Sequence, residues 1–347
     1  MVDFCTLFDS NYIDRGLALY RSLENVMDSF CLYIFCFDEK AFNILSEMSL
    51  KNAVLIREVD ILDEQLNKVK TERRRTEYCW TCTPAIIEYV LKNYSVPDCT
   101  YIDADMFFYG NPEPIIEDLR RKNVSASLIG HRFPDTIARI RSESLYGRYC
   151  VEFNTFSNTE AGRKIVSWWK KKCIESCTME LYEEGYGDQK YLGRWKEQFP
   201  DVLEVENIGA GVAPWNVSDY RLDKKEKDGT ILLKYRKKEV CQLIFYHFQN
   251  VKILSDKEAD IGVYNELGIM DNILISLLYQ GYIRNLMEIR KEIKRRFGFE
   301  IPMQEIRKGE SKDKLRGVRD WLVYIWQSLI IIARGHKNRI NIGEEKI

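Results

Sequence analysis

The sequence lacks the marks of several large classes of protein. Its first residues, Met1-Val2-Asp3-Phe4-Cys5-Thr6-Leu7-Phe8-Asp9, carry no basic segment and no long apolar core, and no secretory signal is read there. The ten cysteines are therefore expected in a reducing compartment, as small buried apolar residues, and the sequons at Asn93, Asn123 and Asn216 as unused. A second C-x-x-C is missing. Cys79-Trp80-Thr81-Cys82 stands alone, and Cys173 and Cys177 fall at helical i,i+4 spacing, so packed cysteines are the better reading than four zinc ligands or a redox pair. Net charge is close to absent, at -1 with 30% charged residues, which removes any global signal for nucleic acid. There is no internal repeat and no low-complexity segment. The apolar run Trp321–Ala333 has 13 residues, about 20 Å as a helix against the roughly 30 Å of a bilayer core, so it is not expected to span one.

What is present is a chain of 347 residues, 45% apolar, long enough for one large domain or two ordinary ones. Apolar runs at 2–8, 31–37 and 53–56 alternate with helical periodicity at 12–26, where Ile13, Leu17, Tyr20 and Leu23 share a face, and at 39–48. That rhythm predicts an α/β fold with a parallel sheet and helices on its faces. A helix at about 83–93 leads into a further strand. Beyond residue 110 the pattern becomes mixed, with strands expected near 124–129, 149–157, 202–206, 231–235 and 242–247 and a helix at about 159–175. Gly185–Gln189 and Gly209–Trp215 read as loops.

Tyr101-Ile102-Asp103-Ala104-Asp105-Met106-Phe107-Phe108 sets two carboxylates one residue apart in an apolar run that reads as a buried strand. Burying two charges side by side is costly without a cation, and residues at i and i+2 of an extended chain face one side. The pair suits a hard cation such as Mg²⁺ or Mn²⁺ with positions left for phosphate oxygens. Ligands of such sheets bind outside the carboxyl ends of the strands, so Phe8–Tyr12 and Asp103–Asp105 are expected at one crevice.

The end of the chain differs in charge. Residues 284–340 hold 15 Lys and Arg against 7 Asp and Glu, leaving 37 against 46 elsewhere. The expected division is a catalytic domain at 1–260 and a helical basic region at 261–347. Trp321–Ala333, flanked by Arg316, Arg319, Arg334, Lys337 and Arg339, reads as an interfacial anchor on anionic lipid or as a core helix, since Leu322, Ile325, Leu329 and Ile332 also share a face.

Five motifs in order resemble those of the GT-A-fold glycosyltransferases, most closely glycosyltransferase family 8, over about residues 2–252. They are Leu7-Phe8-Asp9-Ser10-Asn11-Tyr12, Tyr101–Asp105, Glu152-Phe153-Asn154-Thr155, Gly187-Asp188-Gln189 and Tyr246-His247-Phe248. The resemblance implies a mixed, Rossmann-like sheet flanked by helices. It further implies that Asp9 and Asn11 bond base or ribose and that Tyr12 stacks on the base. Asp103 and Asp105 would hold the metal, with His247 as a third ligand favouring Mn²⁺ over Mg²⁺. Asn154 would face the donor sugar, Asp188 and Gln189 would lie beside the reacting centre, and Ala104 and Lys252 would join the nucleotide-sugar site. The family's basic residue on the helix before the metal motif has no clear match; Arg73–Arg75 and Lys92 are the nearest candidates. The Gly and Lys-Pro-Trp that follow the family's histidine are missing here, although Pro214-Trp215 occurs elsewhere.

Each motif also has a plainer reading. His247 is either a metal ligand or a packed core histidine, and Asp188 either acts at the reacting centre or caps a helix. Trp215 either stacks on an acceptor sugar or packs in the core, and Arg73–Arg75 is either a solvated loop or a phosphate site. The implied activity is metal-dependent hexose transfer, with retention, from a nucleotide-sugar, UDP-linked by default, to a glycan or lipid-linked glycan of bacterial surface polysaccharide or lipopolysaccharide. The expected location is the cytoplasm, or the inner face of the cytoplasmic membrane. Nucleic acid is not an expected partner. Two alternatives are a nucleotidyltransferase, disfavoured because Phe8–Tyr12 contains no Gly, and an inactive scaffold of the same fold.

Overall fold

The computed structural model describes residues 1–134, 137–179, 186–263, 270–305 and 339–342. Trp321–Ala333 and its flanking basic residues other than Arg339 lie outside them.

The first part alternates as its periodicity predicts through β1 (Val2–Phe8), α1 (Ile13–Val26), β2 (Phe30–Cys36), α2 (Glu39–Met48) and β3 (Ala53–Arg57); two helices in succession, α3 (Glu64–Glu72), which was not expected, and α4 (Arg75–Asn93), then lead to β4 (Asp98–Ile102). Side-chain caps start α2 and α3: Asp38 accepts from Ala41 N at 2.7 Å and Asp63 from Leu66 N at 2.8 Å. Then follow β5 (Met106–Phe108), α5 (Glu113–Arg121), β6 (Ala126–Gly130), α6 (Ile137–Tyr146), β7 (Tyr149–Cys150), β8 (Phe153–Ser157), α7 (Glu160–Glu175), the short α8 (Trp195–Gln198) and β9 (Val202–Glu204). An antiparallel meander of β10 (Tyr220–Lys225), β11 (Ile231–Tyr235) and β12 (Glu239–Gln242) precedes β13 (Phe245–His247), β14 (Lys252–Ser255), β15 (Glu258–Asp260), α9 (Asn272–Phe297) and β16 (Arg339–Asn341).

Among the described residues the main sheet runs β3-β2-β1-β4-β8-β6-β7, with β9 paired to β6. β1 is parallel to β2 on one side and to β4 on the other, whereas β8 is antiparallel to β4. The chain therefore reverses its direction of growth at β1, and the crevice at such a switch point opens at the carboxyl ends of β1 and β4. Phe8-Asp9 and Ile102-Asp103 lie there.

Two apolar clusters cover the sheet. One packs α4 and α7 around Trp169, Trp195 and Phe156; the other packs α1 and α9 around Phe4, Phe108 and Phe245. α9 buries Leu274, Leu278, Tyr282, Leu286, Ile289 and Ile293 in the second cluster. The boundary expected at residue 260 thus falls before a helix that shares the core of the first 260 residues. β16 also returns to pair with β15. No helix among the described residues is long and apolar enough to cross a membrane.

Three local expectations change. The helix before the metal motif starts at Arg75, not near 83, and runs through Pro84; burial of Tyr78, Cys82, Ala85 and Ile86 against the sheet and α7 outweighs the backbone bond that Pro84 cannot make. The strand expected at 149–157 is two, β7 and β8, broken at Val151-Glu152. The two carboxylates of the metal motif do not sit in a strand but in the turn between β4 and β5, closed by Met106 N donating to Asp103 O at 3.2 Å.

Candidate active site

The turn after β4 carries Asp103 and Asp105, and β13 brings His247 to it. β13 pairs antiparallel with β5, setting His247 opposite Met106, and Phe248 N donates to Asp105 O at 2.9 Å. Nε2 of His247 lies 3.0 Å from Oδ1 of Asp105 and 3.6 Å from Oδ2 of Asp103. Six oxygen and nitrogen donors around a cation at about 2.1 Å have neighbours about 3.0 Å apart, so these spacings suit adjacent positions on one hard divalent ion. Tyr101 holds the other edge of the pair, donating to Oδ1 of Asp103 at 2.6 Å.

Behind His247 stands Glu152, in the break between β7 and β8. Its carboxylate is wholly buried, and Oε2 lies 2.7 Å from Nδ1 of His247. Nε2 faces Asp103 and Asp105; with a cation bound between them, a proton kept on Nδ1 by Glu152 would leave the Nε2 lone pair to the metal, the tautomer a ligand needs. Burial opposes charge on the imidazole, but the nearby Asp105 carboxylate and its hydrogen bond hold its pKa well above the ordinary histidine value. Burial pushes Asp103 up to about 7, while the His247 charge draws Asp105 below the usual carboxylate range despite its burial. The turn thus keeps one anion beside the charged His247 and disfavours the second, and a divalent cation would stabilise both. The donor set fits the implied metal.

Tyr101, Asp103 and His247 line a cleft of about 710 Å³ together with Tyr12, Trp80, Asp188, Gln189, Trp215 and Lys252. Gly187 sits at φ +59°, where a side chain would press on the ring of Trp80, and this bend delivers Asp188 to the cleft. Asp188 precedes a 3-10 turn, Gln189–Arg194, yet its side chain makes no capping bond. Burial, then the charge of Asp103, pushes its carboxyl up to about 8. Gln189 is fixed by donating to Tyr146 O at 3.0 Å. Trp215 is 8% exposed and meets His247 edge to face, with ring centroids 5.4 Å apart, so it both lines the cleft and packs. The ring of Tyr12 lies 4.6 Å beneath the guanidinium of the buried Arg15.

Other expected residues lie elsewhere. Asp9 caps the turn that holds Asn11, accepting from its N–H at 3.0 Å, and meets Arg75 at 3.3 Å; neither Asp9 nor the exposed Asn11 lines the cleft. Ala104 is buried in the core. Asn154 does not reach the cleft lining: it is fully buried on β8, with Nδ2 donating to Ser127 O at 3.1 Å, and its register partner Tyr101 is the one that reaches the cleft. Arg73 is structural, bound to Thr81, Cys173 O and Ile174 O, and Lys92 pairs with Glu88 at the far end of α4. Arg75, first residue of α4, is the one basic candidate placed beside Asp9. All ten cysteines are free, and no zinc-like cluster joins Cys79 or Cys82 to Cys173 and Cys177 among the described residues.

Glu152 escaped the sequence reading as a site residue. Its signal is an acid inside the apolar stretch Tyr149–Phe153, the same pattern that drew attention to Asp103 and Asp105.

No family model matches the chain. It is similar to two proteins of Bacillus subtilis (strain 168): the uncharacterized protein YfnD, 31% identical over 297 residues, 85% of this chain and 91% of that one, and the uncharacterized protein YfnF, 32% identical over 292 residues, 82% and 92%. Among solved structures it resembles an active-site mutant of LgtC, with a TM-score of 0.50 and 12% identity over 72% of this chain and 88% of that one. A complex of the galactosyltransferase LgtC with donor and acceptor sugar analogs superposes with a TM-score of 0.48 and 12% identity, over 72% and 87%. At that identity the likeness establishes the fold, the GT-A type expected from the motifs. By sequence, the chain belongs to the family of YfnD and YfnF.

Proposed function

We propose that the protein is a metal-dependent glycosyltransferase that moves a hexose from a nucleoside-diphosphate sugar, UDP-linked by default, to a glycan acceptor. The observation that carries this reading is the convergence of Asp103, Asp105 and His247 at the switch-point crevice, with Asp188 and Gln189 lining the same cleft. A cation held by those three residues supplies Lewis-acid neutralisation of the diphosphate leaving group. The galactosyltransferase LgtC shares the fold, which supports sugar transfer as the reaction class. In this reading Tyr12 stacks on the base, Lys252 offers a cation to the phosphates and Trp215 stacks on the acceptor sugar; all three line the cleft.

Retention of configuration and membership of glycosyltransferase family 8 belong to the same proposal. Asp188 and Gln189 line the cleft side by side, which suits a positioning role on the donor sugar and its emerging cation. Surface polysaccharide or lipopolysaccharide assembly is the proposed setting. The anionic membrane surface remains the partner proposed for the basic tail, on its sequence alone. Nucleoside diphosphate release from a panel of nucleotide-sugars, with Mn²⁺ and with EDTA, tests the activity; the product anomer, read by NMR, tests retention.

A further inference from the structure

The imidazole of His247 has a second face. Sγ of Cys150, a carboxylate oxygen of Glu152 and a ring nitrogen of His247 lie within 4.8 Å of one another, all three residues buried. Cys150 lines the cleft, so the group is reached from it. Oε1 of Glu152 has no hydrogen-bond partner although the residue is wholly buried. Thiolate, imidazole and carboxylate together make a softer donor set than the two aspartates, and ligand atoms around tetrahedral Zn²⁺ sit about 3.6 Å apart, within reach of small side-chain rotations.

We propose that Cys150, Glu152 and His247 form a second metal site, for thiophilic divalent cations such as Zn²⁺ or Cd²⁺, whose occupation excludes the cation held by Asp103 and Asp105. Binding there releases the thiol proton and takes the lone pair of Nδ1, the nitrogen that faces Glu152. The single proton of the neutral ring moves from Nδ1 to Nε2. An N–H, in place of a lone pair, points at Asp103 and Asp105, and the hard-cation site loses its nitrogen ligand. One histidine therefore serves either site but not both. The exclusion rests on the metal reading proposed above; the thiophilic site itself does not.

The test uses the full, metal-free protein. Cd²⁺ is titrated while the ultraviolet thiolate-to-cadmium charge-transfer band is followed, and Mn²⁺ binding is followed by the paramagnetic resonance of free Mn²⁺. The expected result is a saturable cadmium band whose affinity falls at least about tenfold in Cys150→Ser, with Mn²⁺ affinity unchanged in that variant. Cd²⁺ should displace Mn²⁺ from the unaltered protein but not, at the same concentration, from Cys150→Ser. A cadmium band undiminished in Cys150→Ser, or equal displacement of Mn²⁺ in both proteins, overturns the proposal. Absence of Mn²⁺ binding in the unaltered protein overturns the exclusion and the metal reading, while the cadmium band still decides the second site. If Cys150→Ser and Cys150→Ala both fail to fold, cadmium NMR of the unaltered protein decides: a resonance in the thiolate range supports the site, and one in the oxygen-only range overturns it.

Discussion

Nδ1 of His247 lies 2.7 Å from Oε2 of Glu152, a carboxylate with no exposure to solvent. This bond fixes both the ring's orientation and its tautomer. Glu152 is therefore a positioning residue, and Glu152→Gln should weaken Mn²⁺ binding about 10–100-fold. In kinetics the variant should need more Mn²⁺ for half-activity while recovering much of its turnover at saturation. An unchanged Mn²⁺ requirement in a folded variant would remove this role.

Asp103→Asn and Asp105→Asn should each reduce turnover by at least about 100-fold without unfolding the protein, because the lost contribution is stabilisation of the leaving group. His247→Ala should have a smaller effect. Loss of fold in that variant, seen by circular dichroism, would assign His247 to the core instead.

Asp188 links the site to stability. Its folded carboxyl sits at about 8 against a reference of 3.8, so between those values the folded state binds more protons than the unfolded state. Metal-free stability should then fall as pH rises from about 4 to about 8. Asp188→Asn should flatten that dependence and melt higher than the unaltered protein at pH 7, while transfer is impaired more than donor binding. Denaturant midpoints at pH 5 and pH 8 check the sign. A slope unchanged by the substitution would place the coupling elsewhere.

α9 is tied in by charge as well as by apolar packing. Asp14 bonds Arg290 at 2.7 Å and Arg15 at 2.9 Å, all three buried. Asp14→Ala leaves two guanidinium groups without their shared anion and should cost about 3–5 kcal/mol of stability. Urea denaturation measures it, and a loss under about 1 kcal/mol would mean that the arginines are satisfied by their carbonyl partners alone.

Much of this was legible in the chain because local pattern carried it. The apolar runs and helical periodicity from Val2 to Ile56 pointed to β1 to β3 and the helices between them, and two acids in an apolar run marked the turn after β4. Tertiary context decided the rest. The helix expected from about 83 gains its first turns once α7 and the sheet bury Tyr78 and Cys82. Only the fold shows that Asn154 donates to Ser127 O on β6. Glu152 gains meaning only when β13, 95 residues on, presents His247 to it.

The most direct measurement is nucleoside diphosphate release from nucleotide-sugars by the full protein, with Mn²⁺, with excess EDTA, and with Asp105→Asn. The account predicts release with Mn²⁺, its loss in EDTA and its loss in the variant. Release undiminished in EDTA and in Asp105→Asn would contradict it.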